Sequence, residues 1–127
     1  MLGDRVSFLG RRSDIPDIIR SVDVVVNASR AEPFGLSVLE AQACGTPVIG
    51  TDAGGIPEFV EDGVTGLLTP PFDAAALASA LSRLLDDAEL ARTMAAEALR
   101  RVHPARGLDA QYDRWADVFR ELTQVNR

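Results

Sequence analysis

Asp23-Val24-Val25-Val26 is a β-branched run with no polar alternation. Such a run suits a strand covered on both faces, which is the habit of parallel sheets. Parallel neighbours need a crossover connection, usually a helix, and the sequence supplies one. Leu36 to Cys44 reads as a helix with Leu36, Leu39, Ala43 and Cys44 on one side, ended by Gly45. Pro47-Val48-Ile49 is the next strand, Ile56 to Val60 a helical turn stopped by Asp62-Gly63, and Gly66 to Thr69 a further strand closed by Pro70-Pro71. Upstream, Arg5 to Leu9 alternates like a strand and stops at Gly10. Ser13 or Asp14 caps a short helix with Pro16 in its first turn and Ile15, Ile18 and Ile19 as its buried stripe. Downstream, Asp73 caps an Ala-rich helix with Leu77, Leu81, Leu84 and Leu85 on its apolar face. Asp87 opens another that runs towards Arg101 and breaks at His103-Pro104. A final amphipathic helix carries Leu108, Tyr112, Trp115, Phe119 and Leu122. Repeated strand–helix–strand alternation predicts an α/β fold, a parallel sheet with helices on both faces, followed by C-terminal helices.

At 127 residues and 46% apolar content the chain is one domain with a real core. No apolar run approaches the ~20 residues of a membrane helix, and the first residues do not read as a secretory signal. A net charge of −6 argues against nucleic acid as a partner. The single Cys44 allows neither an internal disulfide nor a zinc cage, points to a reducing compartment, and reads as a small buried filler. His103, before a proline, reads as a helix-end residue, and Arg11-Arg12 as a solvated loop.

The segment that can carry chemistry runs from Asn27 to Ala41, where a valine strand ends and a helix begins. Open α/β sheets bind ligands at this carboxyl edge. Gly35 lets the backbone approach a ligand closely. The N–H groups of Gly35, Leu36 and Ser37 are expected to be free at the helix start, where the macrodipole is equivalent to roughly +0.5 charge, a site suited to phosphate oxygens. Glu32 lies on the loop lip. Glu40 lies about five residues after Gly35, roughly 7–8 Å along the helix axis, a fitting offset for a carboxylate that accepts hydrogen bonds from a ribose diol. By spacing alone, the same acids also fit a plain helix start in which they merely complement the dipole.

Glu32-Pro33-Phe34-Gly35, the seven residues separating Glu32 from Glu40, Glu40-Ala41-Gln42-Ala43-Cys44-Gly45-Thr46-Pro47-Val48-Ile49, and Gly54-Gly55-Ile56-Pro57-Glu58 closely resemble the glycosyl transferase group 1 family. Val6-Ser7-Phe8-Leu9-Gly10, Asp23-Val24-Val25-Val26 and Asp62-Gly63-Val64-Thr65-Gly66-Leu67-Leu68 match in the right order. The resemblance implies a retaining enzyme of the GT-B fold that uses a nucleotide-diphosphate sugar. It implies that Glu32 is the catalytic-site glutamate facing the donor sugar, and that Phe34, Gly35, Leu36 and Ser37 bind sugar and diphosphate. Glu40 would grip the ribose. No metal and no cofactor beyond the nucleotide-sugar donor are implied. The diglycine Gly54-Gly55 is expected mainly to shape a loop at the same sheet edge, with Glu58 bracing it.

The resemblance casts residues 1–127 as a partial nucleotide-sugar-binding C-terminal domain, a Rossmann-like half domain of a GT-B enzyme. The N-terminal acceptor domain and the first strands are missing. With strand order 3-2-1-4-5-6, the Arg5–Leu9 strand would be third and the valine strand fourth, leaving the latter an exposed edge. Arg5–Leu9 is then expected to shift beside it, or a second chain to fill the gap, by self-association or by docking of the missing domain. The expected setting is cytoplasmic, the intact enzyme able to lie against the inner face of a membrane. Two functions follow: a glycosyltransferase fragment that binds the donor and, in the intact enzyme, transfers the glycosyl group to an acceptor with retention; or a non-catalytic remnant or binding module of the same fold. An epimerase or phosphorylase shares the architecture, but the Glu32/Glu40 pair with Phe34-Gly35 favours transfer.

Overall fold

The computed structural model describes residues 3–107 together with 109, 112–114, 116, 117 and 120. The elements in chain order are α1 (Ile15–Arg20), β1 (Val25–Asn27), α2 (Leu36–Cys44), β2 (Val48–Thr51), β3 (Leu67–Thr69), α3 (Ala74–Asp86) and α4 (Ala88–Arg106), with 3-10 turns at Gly3–Arg5 and Ile56–Glu58. Three parallel strands pair in the order β1-β2-β3, with Val26 opposite Ile49 and Ile49 opposite Leu67.

The central strand β2 explains the layers. Successive side chains of a strand point to opposite faces, and all four residues of β2 are buried. Val48 joins Ile19, Val38, Ala41, Ile56 and Val60 beneath α1 and α2. Ile49 joins Leu67, Leu84, Ala91 and Met94 beneath α3 and α4. Helices thus cover both faces, as the alternation requires. At the carboxyl ends, Thr51 Oγ1 donates to the Asn27 carbonyl at 3.1 Å, tying β2 to β1 just below the loops.

Several expectations are corrected. Arg5 to Leu9 forms no strand: beyond the 3-10 turn it is irregular and exposed, with Phe8 97% accessible. Alternation gives a segment strand capacity but no partner, and no strand of the sheet lies beside it among the described residues. It does not shift beside β1 either, whose outer edge is unpaired among the described residues. The buried side of α2 is Val38, Ala41 and Gln42, whereas Leu36 and Ala43 are exposed and Cys44 is half-buried. The reason is that α2 packs against α1 and α4 as well as the sheet, which rotates its covered face away from the simplest apolar stripe. Ile15 and Leu85 are likewise exposed at the helix ends.

Asp14 caps α1 through its backbone oxygen, while its carboxylate turns to Arg12 at 2.6 Å and is held below the ordinary carboxylate range by that guanidinium. Asp73 caps α3 as expected, accepting from the Ala76 N–H at 2.8 Å. Finally, α4 does not break at His103-Pro104 but continues to Arg106. Pro104 costs α4 one hydrogen bond and a clash with the preceding turn, and the helix ends only two residues beyond it. Leu108, Trp115, Phe119 and Leu122 of the expected final helix lie outside the described residues; Tyr112 is exposed. Among the described residues no helix is long and apolar enough to cross a membrane.

Candidate functional site

The residues singled out by spacing converge where β1 gives way to α2. Gly35 is the N-cap residue of α2 with φ 87° and ψ 38°, a left-handed conformation costly to any residue with a Cβ. Its carbonyl accepts from the Val38 and Leu39 N–H groups at 3.0 and 3.2 Å, which starts the helix.

The N–H of Gly35 is not free, contrary to expectation. It donates to Glu32 Oε1 at 3.4 Å. The N–H groups of Leu36 and Ser37 have no acceptor among the described residues, so the helix start offers two backbone donors rather than three. Phe34, Leu36, Ser37 and Glu40 are all exposed, so those donors and the second acid face solvent. Glu32 is half-buried. Its Oε2 accepts from Ser29 Oγ at 3.4 Å. Both of its carboxylate contacts are long, and weak by geometric criteria.

Asn27, at the end of β1, was not among the expected site residues. Its Oδ1 accepts from the Ser29 N–H at 3.0 Å and its Nδ2 donates to Ser37 Oγ at 2.9 Å. The amide therefore ties the strand end, the loop and the first turn of α2 together. It also uses one acceptor site of the Ser37 hydroxyl and leaves that O–H able to donate outward. The signal was present: Asn two residues before Ser, at the end of a strand, is a typical side-chain-closed turn. Phe34 is braced rather than loose, its ring edge-to-face with Phe59 at 5.1 Å and 62°.

Beside this start lies a recess of about 240 Å³ over the strand ends, lined by Ala28, Arg30, Thr51, Thr69, Phe72 and Leu77 among others. There the Arg30 guanidinium stands 4.6 Å from the centroid of the Phe72 ring. Among the described residues no group of three or more His, Cys, Asp or Glu is placed to hold a metal.

The arrangement presents two backbone donors and a hydroxyl at the positive end of α2, with acids on either side. It can accept an anion at the helix start and hydrogen-bond a diol at Glu40.

Comparison with known proteins bears on this arrangement. The family model described as Glycosyl transferases group 1 matches residues 1–87. N-acetyl-alpha-D-glucosaminyl L-malate synthase of Bacillus anthracis is 38% identical over 122 residues, covering 93% of this chain and 32% of that protein. The alpha-D-kanosaminyltransferase of Streptomyces kanamyceticus is 37% identical over 123 residues, again 32% of its length. The chain thus spans about a third of these curated relatives. Among solved structures, Anabaena Alr3699/HepE in complex with UDP and glucose superposes with a TM-score of 0.90 at 35% identity, over 94% of this chain and 33% of that one. Sucrose-phosphate synthase from Thermosynechococcus elongatus superposes at 0.91 with 40% identity, over 98% of this chain and 32% of that one.

Proposed function

This chain belongs to the glycosyl transferases group 1 family, and on that premise we propose that it is the donor-binding part of a retaining GT-B glycosyltransferase. Its ligand is a nucleotide-diphosphate sugar. The observation that carries the reading is the pair of unmatched N–H groups on Leu36 and Ser37, with an exposed Glu40 one turn further along the same helix. Diphosphate oxygens accept from those two groups and from the Ser37 hydroxyl; the helix dipole adds roughly half a positive charge. Glu40 accepts from the ribose hydroxyls. Glu32, at the lip, faces the sugar, and Phe34 and Gly35 form the floor beneath it.

In the transfer step the bond between the anomeric carbon and the phosphate oxygen breaks, and its electron pair leaves with the nucleoside diphosphate. An acceptor hydroxyl bonds to that carbon, and its proton passes to the departing phosphate oxygen. Charge grows on the leaving phosphate, where preorganised N–H donors are most effective. The acceptor and the completed reaction belong to the longer proteins that the relatives represent. A cytoplasmic setting, no resident cofactor and charge neutralisation without a metal are parts of the same reading. The solved neighbour's complex with UDP and glucose supports the donor class and makes UDP the first probe.

Calorimetric titration with UDP, GDP and ADP and their sugars tests it. Weak binding of at least one is expected, and Glu40→Ala should weaken it at least about tenfold, since hydrogen bonds to a charged group contribute roughly 1.5–3 kcal/mol. Unchanged affinity in that variant would remove Glu40 from the site.

A further inference from the structure

The loop after β2 meets the candidate site main chain to main chain. The Gly55 N–H donates to the Glu32 carbonyl at 2.8 Å. A Cβ on Gly54 would lie 2.2 Å from that same oxygen and 3.0 Å from the Glu32 nitrogen. One on Gly55 would lie 2.7 Å from the Pro33 carbonyl oxygen and 3.0 Å from that of Phe34. Neither position accepts a side chain unless one loop moves. The next residue, Ile56, is fully buried, and a Cβ on Gly35 would meet its Cγ1 at 3.2 Å. Glu32 to Gly35 are therefore backed along their length by Gly54 to Ile56.

This matters because among the described residues the Glu32 carboxylate has only two long contacts, each 3.4 Å, to fix it. Its side chain does not place itself; its backbone does. We propose that Gly54 and Gly55 are positioning residues for Glu32: the diglycine is a backbone mould that sets where the carboxylate stands relative to the first turn of α2. The functional half of this rests on the donor-site reading above. Groups in such sites must be held to within about 0.5 Å, and a misplacement of about 1 Å can cost on the order of a hundredfold in rate. Relieving a 2.2 Å or 2.7 Å approach needs a shift of that order.

Three alanine variants separate contact from backbone strain. Gly55 has φ −84°, ordinary for alanine, so Gly55→Ala adds contact without strain. Gly63 has φ 76° and nothing within 4 Å of its would-be Cβ, so Gly63→Ala adds strain without contact. Gly54→Ala, at φ 61°, adds both.

Two readouts follow in the full chain. The first is the pH-dependent displacement of the Gly35 amide resonance in ¹H–¹⁵N spectra, which reports the Glu32 carboxylate beside it. Wild type and Gly63→Ala should show it; Gly55→Ala and Gly54→Ala should lose at least half of it while keeping wild-type circular dichroism. The second is calorimetry with UDP and UDP-glucose. Gly55→Ala should weaken UDP-glucose binding about tenfold and UDP binding less than threefold, because the mould acts on the sugar side. Gly55→Ala that matches Gly63→Ala in both readouts overturns the proposal. Should wild type bind none of UDP, GDP, ADP and their sugars, the donor reading falls and the resonance readout alone decides the mould. If Gly54→Ala does not fold, Gly55→Ala stands in its place. A Gly55 amide in wild type that exchanges at the rate of an unstructured peptide overturns the mould whatever the variants do.

Discussion

Phe72 holds a left-handed backbone conformation, φ 64°, with its ring 76% exposed under the Arg30 guanidinium. That conformation costs a residue with a Cβ roughly 1–2 kcal/mol, and an exposed cation–π pair returns about 0.5–1 kcal/mol. The strain is the larger of the two. Since a new glycine also adds about 0.4–1 kcal/mol of freedom to the unfolded chain, Phe72→Gly is expected to change stability in urea unfolding by less than about 1 kcal/mol; a larger loss would show that the ring contact outweighs the backbone. The left-handed Phe72 was not legible in the sequence, because Pro70-Pro71 signals only a stop. The places of Gly35 and Glu40 on α2 were legible by spacing, since a glycine at a strand–helix junction and an acid a turn and a half later fix positions on a helix whatever the rest does. The capture of the Gly35 N–H by Glu32 was not. It depends on a side-chain rotamer and on the height of the loop, which the diglycine sets from a segment about twenty residues away.

Elements were read where their signals are local and missed where they depend on a neighbour. The Asp73 cap, the Gly45 stop and the buried β2 run each follow from residues within one turn or strand. The Arg5–Leu9 segment has the pattern of a strand without a strand beside it. The covered face of α2 depends on α4, which arrives some forty residues later. The surface of α4 carries an ionic cluster that reaches the loop before β3. Glu97 accepts from Arg100 at 2.7 Å and from Arg101 at 2.6 Å, and Arg101 also pairs with Glu61 in the loop before β3. These guanidiniums lower the Glu97 carboxyl from its ordinary 4.5 to about 2. A lowered carboxylate contributes stability above its unfolded value and loses it as pH falls through the folded one. The contribution of Glu97 should thus be intact above about pH 4.5 and vanish towards pH 2. Glu97→Gln is expected to be less stable than wild type at neutral pH, by a margin that closes across that window and shrinks with added salt. Urea unfolding at stepped pH measures it; a margin independent of pH would mean that the side chain acts through packing.

At the scale of the whole molecule the three-stranded sheet has two edge strands among the described residues, β1 and β3. Central β2 is covered by helices on both faces, but β1 carries an outer edge with no partner among the described residues, and its Val26 is 39% exposed. The Val25 N–H is used inward, donating to the Pro47 carbonyl at 2.9 Å. Alternation along the strand then turns the Val26 N–H outward. An unpaired apolar edge of this kind pairs with other strands unless charge or proline blocks it. The strand has neither: Val25, Val26 and Asn27 carry no charge and no proline. Sedimentation of the isolated chain over a wide concentration range should therefore show reversible association. Val26→Lys should move the midpoint to at least severalfold higher concentration while leaving nucleotide affinity unchanged, since Val26 precedes the site loop. Equal association in wild type and the lysine variant would place the contact elsewhere. A wild-type chain that stays monomeric throughout would mean that the edge, short at three residues, is too brief a template to hold a second strand.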